Sequence, residues 1–571
     1  METGRPNRSA SFFGRRGEAA GFTARAFTKA MGFTQDDLAK PVIGIAQTWS
    51  EFNNCNHHFK DLAEAVKRGV WQAGGLPLEF PTISLGEVHT QPTSMLFRNL
   101  MAMDTEEMIR AQPMDAVVLL AACDKTTPAA LMGAASANVP AILVSGGPML
   151  NGRYNGHDLG ACTDCGRYTT ELRAGTLSPE EYGLIEDSIC RSAGSCMVMG
   201  TASTMASLAE ALGMALPGNA AIPAPDSRRL QLAEMSGRRA VQLARSGPRP
   251  SEVMTEAAFE NAMRVLAAIG GSTNAVIHLV AIAGRLGLNL PLDRFDEISR
   301  RTPWIVNLKP SGAYQMEELF DAGGIPAVMK ELEALLRTDA LTVTGKTVGE
   351  HLHVFHTARD RNVVAALQEP FGPEGGIAIL RGNLCPDGAV MKQTAASPEL
   401  VQHRGRAVVF NCVDDLRARI DLADLDVTPS DVLVLQNAGP VGAPGMPEVG
   451  FMPIPRKLLE RGVRDMVRIS DARMSGTSYG TIVLHIAPEA ALGGPLGLVR
   501  NGDPIVLDVP GRQLRLDVPE EELAHRRSTW QPPALQFERG YRQLYQQHVL
   551  QAPQGCDFDF LRLAPGLAVG A

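Results

Sequence analysis

Residues 117–133 read VVLLAACDKTTPAALMG, and this stretch contains the pattern that decides the fold. A short apolar run ends at Cys123, Asp124 and Lys125, and an alanine-rich segment follows. That order predicts a buried strand, a polar turn and then a helix. The turn places a soft metal ligand, a hard metal ligand and an amine in three consecutive positions.

Three other apolar runs in the first 150 residues also end in polar or glycine-rich turns. Helical patterns at residues 59–73 and 95–111 lie between the runs. This alternation predicts an α/β fold, with an N-terminal three-layer domain whose parallel sheet is covered by helices on both faces. The four predicted strand segments are PVIGIAQTWSEFNNCNHH, PTISLGEVHT, DAVVLLAACDKTTP and PAILVSGGPM.

Ligands of such sheets bind at the carboxyl ends of the strands, because the loops converge there. We therefore expect six side chains to gather on one rim of the sheet: Cys55, Glu87, Cys123, Asp124, Lys125 and Ser145.

Cys196 is a further candidate ligand. The segment around it predicts a helix over about residues 195–214, with Cys196 in the first turn, where the helix dipole favours a thiolate. The segment by itself is equally compatible with two buried structural cysteines, Cys190 and Cys196.

Composition excludes several classes of protein. The chain has 571 residues, enough for two or three domains, and its net charge of -8 is spread without a basic block, which argues against a nucleic-acid partner. Its apolar runs are shorter than the ~20 residues of a membrane-spanning helix. Nine cysteines without a signal sequence favour free thiols, some of them metal ligands. We expect a cytoplasmic protein without membrane attachment.

Two cysteine and histidine motifs receive no function from the sequence. Cys162 and Cys165 form a C-x-x-C pair, but a redox or zinc role needs a second pair or a thioredoxin-like context. The three histidines of residues 350–356 have spacings that could bind zinc, although a connection between domains is the simpler interpretation.

The pattern changes after about residue 370, where short strands replace long helical stretches. We predict two domains, an α/β domain at residues 1–370 and a β-rich domain at residues 371–571. The strand patterns of the second domain are GGIAIL, RAVVF, DVLVL, MVRIS and the hairpin-like PIVLDVPGRQLRLDV.

Eight segments in a fixed order resemble the dihydroxy-acid dehydratase and phosphogluconate dehydratase family, and within it the branch of sugar-acid (aldonate) dehydratases. The resemblance runs from about residue 10 to the C-terminus. The segments are NNCNHH, GEVHTQPTSMLFRNLMAMDTEEMI, ACDKTTPAALMGAAS, CRSAGSCMVMGTASTMA, GGSTNAVIHL, GNLCPDGAVMK, NAGPVGAPGMPE and SDARMSGTSYG.

The resemblance implies two inorganic cofactors. Cys55, Cys123 and Cys196 match cysteines that hold an iron–sulfur cluster, which is 2Fe-2S in the sugar-acid branch. The residues that match the magnesium site are Glu87, Asp124, Glu448 and Lys125, the last being carbamylated in relatives. From the residues alone, Lys125 is equally an ion-pair partner of Asp124.

The resemblance also implies the reaction, in which a sugar acid loses water to give a 2-keto-3-deoxy acid. Ser475 matches the catalytic serine, and Thr477 is expected to hydrogen-bond the substrate nearby. Without the resemblance, Ser475 would be a turn serine after a strand at residues 466–469. The family further implies a barrel-like C-terminal domain that contributes Glu448 and Ser475, and a homodimer or homotetramer.

The substrate is the part of the function with the most alternatives. GEVHTQPTSM and CDKTTPAALMG are similar to enzymes acting on pentonates and hexonates, such as arabinonate or xylonate. The segment GACTDCGRYTTELRAG lies where sugar-acid relatives tend to have aromatic residues, so a smaller or differently shaped substrate is a further alternative. Other functions left open are a dihydroxy-acid dehydratase of branched-chain amino-acid biosynthesis and a non-catalytic iron–sulfur sensor. The predicted substrate contacts, which could instead be local caps, are His89, Ser145, Ser272, Thr273 and Asn274.

Overall fold

The computed structural model describes residues 8–534 and 537–564. Its N-terminal part contains a parallel sheet of four strands in the order β2-β1-β3-β4, as the sequence predicts. The strands β1, β3 and β4 are buried along their whole length. The strand bounds are β1 Val42–Gln47, β2 Leu76–Pro81, β3 Ala116–Leu120 and β4 Ala141–Val144, followed by a small hairpin of β5 Gly152–Tyr154 and β6 His157–Leu159.

Sixteen helices accompany this sheet in the described residues. Their bounds are α1 Arg8–Phe13, α2 Ala19–Ala30, α3 Phe59–Gln72, α4 Arg98–Ala111, α5 Thr126–Ala137, α6 Thr163–Arg173, α7 Pro179–Ile189, α8 Thr201–Ala211, α9 Ser227–Ser246, α10 Pro250–Val253, α11 Glu256–Ala268, α12 Asn274–Arg285, α13 Leu292–Arg300, α14 Met316–Ala322, α15 Gly324–Glu331 and α16 Val348–Leu352.

The helices form the two outer layers of the domain. The chain moves from β1 to β2 through α3 and then back across the sheet to β3 through α4, and right-handed crossovers in opposite directions lie on opposite faces. Helix α3 packs on α9, and α4 packs on α5. The three-layer α/β prediction is confirmed.

The second strand was predicted too late in the chain. The strand is Leu76–Pro81, and the predicted segment PTISLGEVHT mostly forms the loop after it. The N–H of Thr82 donates the last bond, 2.9 Å, to the carbonyl of Gln47, and no residue beyond Pro81 keeps the register with β1. The apolar pattern at residues 82–85 therefore reflects packing of a loop.

The helix predicted around Cys196 also begins later than expected. Helix α8 starts at Thr201, with Gly200 as an extended N-cap. Ser195 instead bridges Pro148, and the Ser195 N–H donates to the carbonyl of Gly147. Cys196 consequently lies in an extended segment before the helix, and the prediction that a first-turn dipole activates it is wrong.

The C-terminal part is built on a mixed sheet of eight strands in the order β14-β13-β9-β10-β11-β12-β8-β7. Arg381, just after β7, bridges Gln513 of β14, so the two edge strands meet and the sheet is nearly closed. The barrel-like prediction is confirmed. The bounds are β7 Ile377–Leu380, β8 Gly388–Lys392, β9 Gln402–Phe410, β10 Val432–Leu435, β11 Arg468–Ser470, β12 Ile482–Ala487, β13 Pro504–Asp508 and β14 Gln513–Leu516, with helices α17 Val413–Arg419, α18 Arg456–Leu459, α19 Glu520–Thr529 and α20 Gly540–His548.

The end of the chain returns to the N-terminal part. Tyr545 of α20 and Phe558 share a buried cluster with Ile277 of α12. The Arg285 guanidinium makes a two-point contact, 2.6 and 3.0 Å, with the Asp557 carboxylate, and both side chains are fully buried. The predicted division at residue 370 stays a prediction, and residues 1–7, 535–536 and 565–571 of the predicted domains lie outside the described residues.

No helix among the described residues is both long enough and apolar enough to cross a membrane.

Breaking the buried Arg285–Asp557 pair should destabilise the protein. Asp557→Asn removes the closer of the two carboxylates that face the buried Arg285 guanidinium and leaves Glu106 at 3.3 Å. Breaking a buried pair in this way typically costs up to ~3–5 kcal/mol. We expect a lower midpoint of thermal unfolding and faster proteolysis near the C-terminus. Asp559→Asn is the matched control, because Asp559 forms an exposed contact with His548 that should contribute little. Equal midpoints for the two variants would contradict the prediction.

Candidate functional site

Three carboxylates and one lysine form a compact group between the two sheets. Glu87, Asp124 and Glu448 offer oxygens that all lie within 4.8 Å of one another, and no other such group of His, Cys, Asp or Glu occurs in the described part of the chain. The Lys125 Nζ is 3.3 Å from Glu87 and 3.2 Å from Glu448, and it also contacts Asp124. The Lys125 side chain is fully buried.

Local backbone geometry explains how neighbouring residues reach different partners. Cys123 has a φ of 70°, in the left-handed region that a non-glycine residue rarely adopts. The chain turns sharply there, and Lys125 becomes the N-cap of α5. Glu87 follows β2, and its carboxylate accepts hydrogen bonds from the Thr93 hydroxyl, at 2.7 Å, and from the hydroxyl and N–H of Ser94.

The charges of this group are mutually dependent. Burial raises the pKa of Glu87, but the Lys125 ammonium and the Arg473 guanidinium bring it down to about 2. Burial and Arg473 lower the pKa of Lys125, yet the three carboxylates raise it above its ordinary value. Burial raises the pKa of Glu448. As described, the centre is a protonated lysine held by acidic side chains.

Two residues outside the predicted ligand set hold Glu448 in place. The Arg473 Nη1 donates to Glu448 Oε1 at 3.0 Å, and its Nη2 donates to the Thr93 hydroxyl at 3.1 Å. The Asn274 Nδ2 donates to the same Glu448 oxygen at 3.2 Å and to the carbonyl of Met474 at 3.1 Å. Sequence reasoning missed Arg473, although it lies inside the quoted segment SDARMSGTSYG.

The loop after β11 presents Ser475. Its Oγ lies 2.8 Å from the Thr477 Oγ1, and the Thr477 N–H donates to it at 3.4 Å. The Thr163 hydroxyl, at the start of α6, donates to the Thr477 carbonyl at 2.8 Å. A Cβ on Gly476 would lie 2.6 Å from the Thr201 nitrogen and 2.7 Å from Ser272, so only glycine fits between the loop and α8.

Lys392 supports the same loop from β8, and sequence reasoning missed it. Its Nζ is buried and donates to the Gly476 carbonyl at 3.3 Å. Burial lowers the pKa of Lys392 to about 7, with no carboxylate to offset the effect. The only sequence signal is its place at the end of the segment GNLCPDGAVMK.

The cysteine side chains lie beside the carboxylates. The hydrogen bond from Cys55 and burial together raise the pKa of Cys123, and the Cys123 Sγ is 3.3 Å from the Asp124 carboxylate. The hydrogen bond with Cys162 and burial raise the pKa of Cys196. The sulfurs of Cys55, Cys123 and Cys196 are not all within 4.8 Å of one another. Their arrangement is too wide for one ion.

The five predicted substrate contacts have different surroundings. Asn274 reaches Glu448, and its Oδ1 and the Thr273 Oγ1 are buried without a hydrogen-bond partner. The Ser272 hydroxyl is 2.8 Å from that of Thr201. Ser145 is buried and binds the Asn219 side chain through both its N–H and its hydroxyl. His89 is exposed in the turn after Glu87. Their roles toward a substrate remain predictions.

A cavity of about 550 Å³ opens beside Glu448 between α6 and α17. Its wall combines polar and apolar side chains, including Thr169, Arg173, Leu416, Ile420 and Phe451. A small molecule in the cavity could therefore reach Glu448.

Two family models match the chain. They are described as dihydroxy-acid/6-phosphogluconate dehydratase N-terminal, matching residues 40–351, and C-terminal, matching residues 362–556. The chain belongs to this family of dehydratases. The sequence resemblance is thereby confirmed.

Similar relatives extend over nearly the whole chain. An L-arabinonate dehydratase of Rhizobium leguminosarum bv. trifolii is 54% identical, over 96% of this chain and 95% of its own. An L-arabonate dehydratase of Azospirillum brasilense is 54% identical, over 97% and 96%. A 6-deoxy-6-sulfo-D-gluconate dehydratase of Pseudomonas putida is 48% identical, over 95% and 94%.

A methyl group on Gly476 should displace Ser475. We expect Gly476→Ala to lower kcat by at least ~10-fold, because the new Cβ meets the Thr201 backbone and the loop must move. Steady-state kinetics and circular dichroism would be compared with those of Gly183→Ala, where a Cβ meets nothing within 4 Å. Unchanged kcat in Gly476→Ala would contradict a fixed position for this loop.

The buried amine of Lys392 should make stability depend on pH. Between the folded pKa of about 7 and the ordinary value of 10.5, the unfolded chain binds one more proton than the folded chain, so the free energy of unfolding rises with pH there. Below about pH 7, Lys392 is charged in both states, and the folded protein bears the full cost of burying that charge. Lys392→Met removes this dependence.

The free energy of unfolding of wild type and of Lys392→Met is measured by denaturation at several pH values on both sides of the folded pKa of about 7. Relative to wild type, Lys392→Met should have the largest increase in free energy of unfolding at low pH, and this increase should shrink as pH rises. Lys29→Met, at an exposed position of α2, is the control. If the difference in free energy of unfolding between wild type and Lys392→Met did not change with pH, the lowered pKa of Lys392 would be refuted.

Proposed function

We propose that this protein is a sugar-acid dehydratase, which eliminates water from an aldonate to give its 2-keto-3-deoxy acid. The observation that carries the proposal is the junction at Asn274, which hydrogen-bonds both Glu448 of the carboxylate group and the backbone next to Ser475. The relatives named L-arabinonate and L-arabonate dehydratase support a sugar acid as the substrate class.

We propose that the carboxylate group holds a magnesium ion. Glu87, Asp124 and Glu448 are hard oxygen donors of the kind this ion prefers, and the unpartnered Oδ1 of Asn274 adds a neutral oxygen nearby. The Lys125 ammonium lies among the same oxygens, so the donor set fits a cation once that charge is removed. Carbamylation of Lys125 removes the charge and supplies an anionic oxygen ligand.

We propose that Cys55, Cys123 and Cys196 hold a 2Fe-2S cluster. Their sulfurs are soft ligands next to the carboxylate group, and their wide spacing fits a group larger than one ion. The left-handed backbone of Cys123 also fits this role, because residues held in strained conformations concentrate at functional sites.

When bound, the two centres would supply Lewis acidity, the magnesium ion toward the carboxylate and 2-hydroxyl and the cluster toward the leaving 3-hydroxyl. Ser475 would take the proton from carbon 2 onto its Oγ. A serine hydroxyl is a weak base, so its deprotonated form needs stabilisation. The Thr477 hydroxyl and N–H both lie within reach of that oxygen, and Lys392 and Thr163 fix the backbone that carries it.

Burial protects the same chemistry from water. Thr477 and Arg473 are buried and Ser475 is partly exposed, so Ser475 is the one of these three side chains that a substrate could reach. The Arg473 guanidinium keeps Glu448 oriented, through a bond that leaves its second oxygen available.

The runner-up substrate is a branched dihydroxy acid. Leu416, Ile420 and Phe451 in the cavity wall would suit an aliphatic chain. A non-catalytic iron–sulfur sensor would have no use for Ser475 and the carboxylate group together. Sugar acids remain the proposal because Thr169 and Arg173 line the same cavity and can bind hydroxyl groups.

We also propose a homodimer or homotetramer that works in the cytoplasm. Phe22 and Phe27 of α2 are 70% and 72% exposed, which fits a surface covered by another subunit. All nine cysteines are free thiols, as is usual in a reducing compartment.

Replacing Ser475 tests the proposed function. Anaerobically purified, magnesium-supplemented protein should turn over one or more aldonates to 2-keto acids, and Ser475→Ala should lower kcat by ~10²–10⁴-fold without changing the visible spectrum. Ser478→Ala, three residues along the same loop, is the matched control. Removal of magnesium by a chelator should abolish turnover reversibly.

Other results of this experiment would contradict the proposed substrate, the cluster or the catalytic base. Turnover of 2,3-dihydroxyisovalerate alone would overturn the sugar-acid substrate. A coloured but inert protein would favour the sensor, and a colourless protein would remove the cluster. Full activity in Ser475→Ala would mean that another residue is the base.

A further inference from the structure

A fourth thiol lies within the proposed cluster site. The Cys162 Sγ is 3.4 Å from the Cys196 Sγ, and neither sequence motifs nor the family resemblance gives Cys162 a role. The Cys55 thiol lies close enough to Cys123 to raise the pKa of the Cys123 thiol. The site thus contains two pairs of sulfurs, not three separate ligands.

The spacing within the Cys162–Cys196 pair suits two ligands of one metal. For a metal–sulfur bond of about 2.3 Å, tetrahedral geometry puts two sulfurs on the same metal about 3.8 Å apart. The observed 3.4 Å needs only a small adjustment to reach that value. Two pairs of cysteines are also the usual ligand set of a 2Fe-2S cluster.

The backbone holds Cys162 at this position. Its φ of 70° is in the left-handed region, and its N–H donates to the Cys165 Sγ at 3.2 Å. The next residue, Thr163, binds the Thr477 carbonyl, and Asp164 accepts from the Gly160 N–H at 2.6 Å and from Lys309 at 2.8 Å. A strained residue persists only where its surroundings determine it, and here three neighbouring contacts do so.

Among the nine cysteines, Cys123, Cys162 and Cys556 have a positive φ. Cys123 belongs to one sulfur pair and Cys162 to the other, whereas Cys556 is buried in the C-terminal cluster. Both pairs therefore combine one strained residue with a partner from another loop.

We propose that Cys162 is a fourth ligand of the cluster, beside Cys196. The inference rests on the proposed cluster. In the resting protein, Cys162 would then occupy a coordination position that a substrate hydroxyl needs, so the Cys162 thiolate and a bound substrate would compete for it.

Spectroscopy of single variants tests the proposal. Wild type, Cys162→Ser and Cys165→Ser are reconstituted anaerobically with ferrous iron and sulfide. Iron and sulfide contents, the visible spectrum, and the electron paramagnetic resonance of the reduced protein are then compared. Cys162→Ser should retain the cluster on its other three cysteines, with altered spectra and a several-fold faster loss of iron in air.

Cys165→Ser is the matched control, because it removes a neighbouring thiol while the serine hydroxyl can still accept the Cys162 N–H, and its spectra should match those of wild type. Identical spectra and iron loss in Cys162→Ser and wild type would overturn the fourth ligand while leaving the cluster in place. A wild-type protein that binds no iron and sulfide would overturn the cluster and this inference together.

A labelling experiment on the unaltered protein gives an independent answer. Iodoacetamide should alkylate exposed Cys412 in both forms of wild type, but Cys162 only after a chelator has removed the iron. Peptide mass spectrometry measures both sites. Equal alkylation of Cys162 with and without the cluster would refute its ligation.

Discussion

The buried ammonium of Lys125 is the interaction on which the site depends. Removing a charged amine from water is costly unless opposite charges surround it, and three carboxylates do so here. Glu87 and Asp124 belong to the parallel-sheet part, whereas Glu448 belongs to the barrel-like part. The ion pairs of the Lys125 ammonium therefore connect the parallel-sheet part and the barrel-like part at the site.

The same charge balance would link the proposed magnesium binding to the proposed carbamylation of Lys125. Three carboxylates face the cations of Lys125 and Arg473, which leaves one negative charge. Adding a divalent cation beside the ammonium would create repulsion at short range, and carbamylating the lysine without a cation would leave uncompensated negative charge. For the proposed magnesium ion and the proposed carbamate, each change would be favourable only with the other.

Local sequence patterns predicted the framework because parallel strands between covering helices have a strong local signal. Asp124 and Lys125 follow β3 directly, and Glu87 follows β2, so their convergence comes from strand order alone. The errors lie where local pattern and pairing disagree. Residues 83–85 look like a strand but pair with no neighbouring strand, and the segment at Cys196 looks helical but is tied to Pro148 by a bridge at Ser195.

The rest of the site depends on contacts between distant parts of the chain. Lys125 and Glu448 are 323 residues apart, and Arg473 and Thr93 are 380 apart. No periodicity encodes such pairs, which is why only the family resemblance suggested Glu448 and Ser475, and why Arg473, Lys392 and the sulfur pair at Cys162 were not foreseen. A C-x-x-C spacing cannot reveal that its first cysteine contacts a third one from another loop.

The loop that delivers Glu448 shows how the barrel-like part maintains this arrangement. Two buried carboxylates bind its backbone: Asp471 accepts from the Ala438 N–H, and Glu489 accepts from the N–H groups of Val441 and Gly442. Burial raises the pKa of Asp471 to about 7, so the anchor itself is near the limit at which it stays ionised. A Cβ on Gly439 would meet Glu489 at 2.6 Å. A glycine is therefore required at position 439 for the Glu489 carboxylate to reach the backbone. The hydrogen bonds to Asp471 and Glu489 set the shape of this loop.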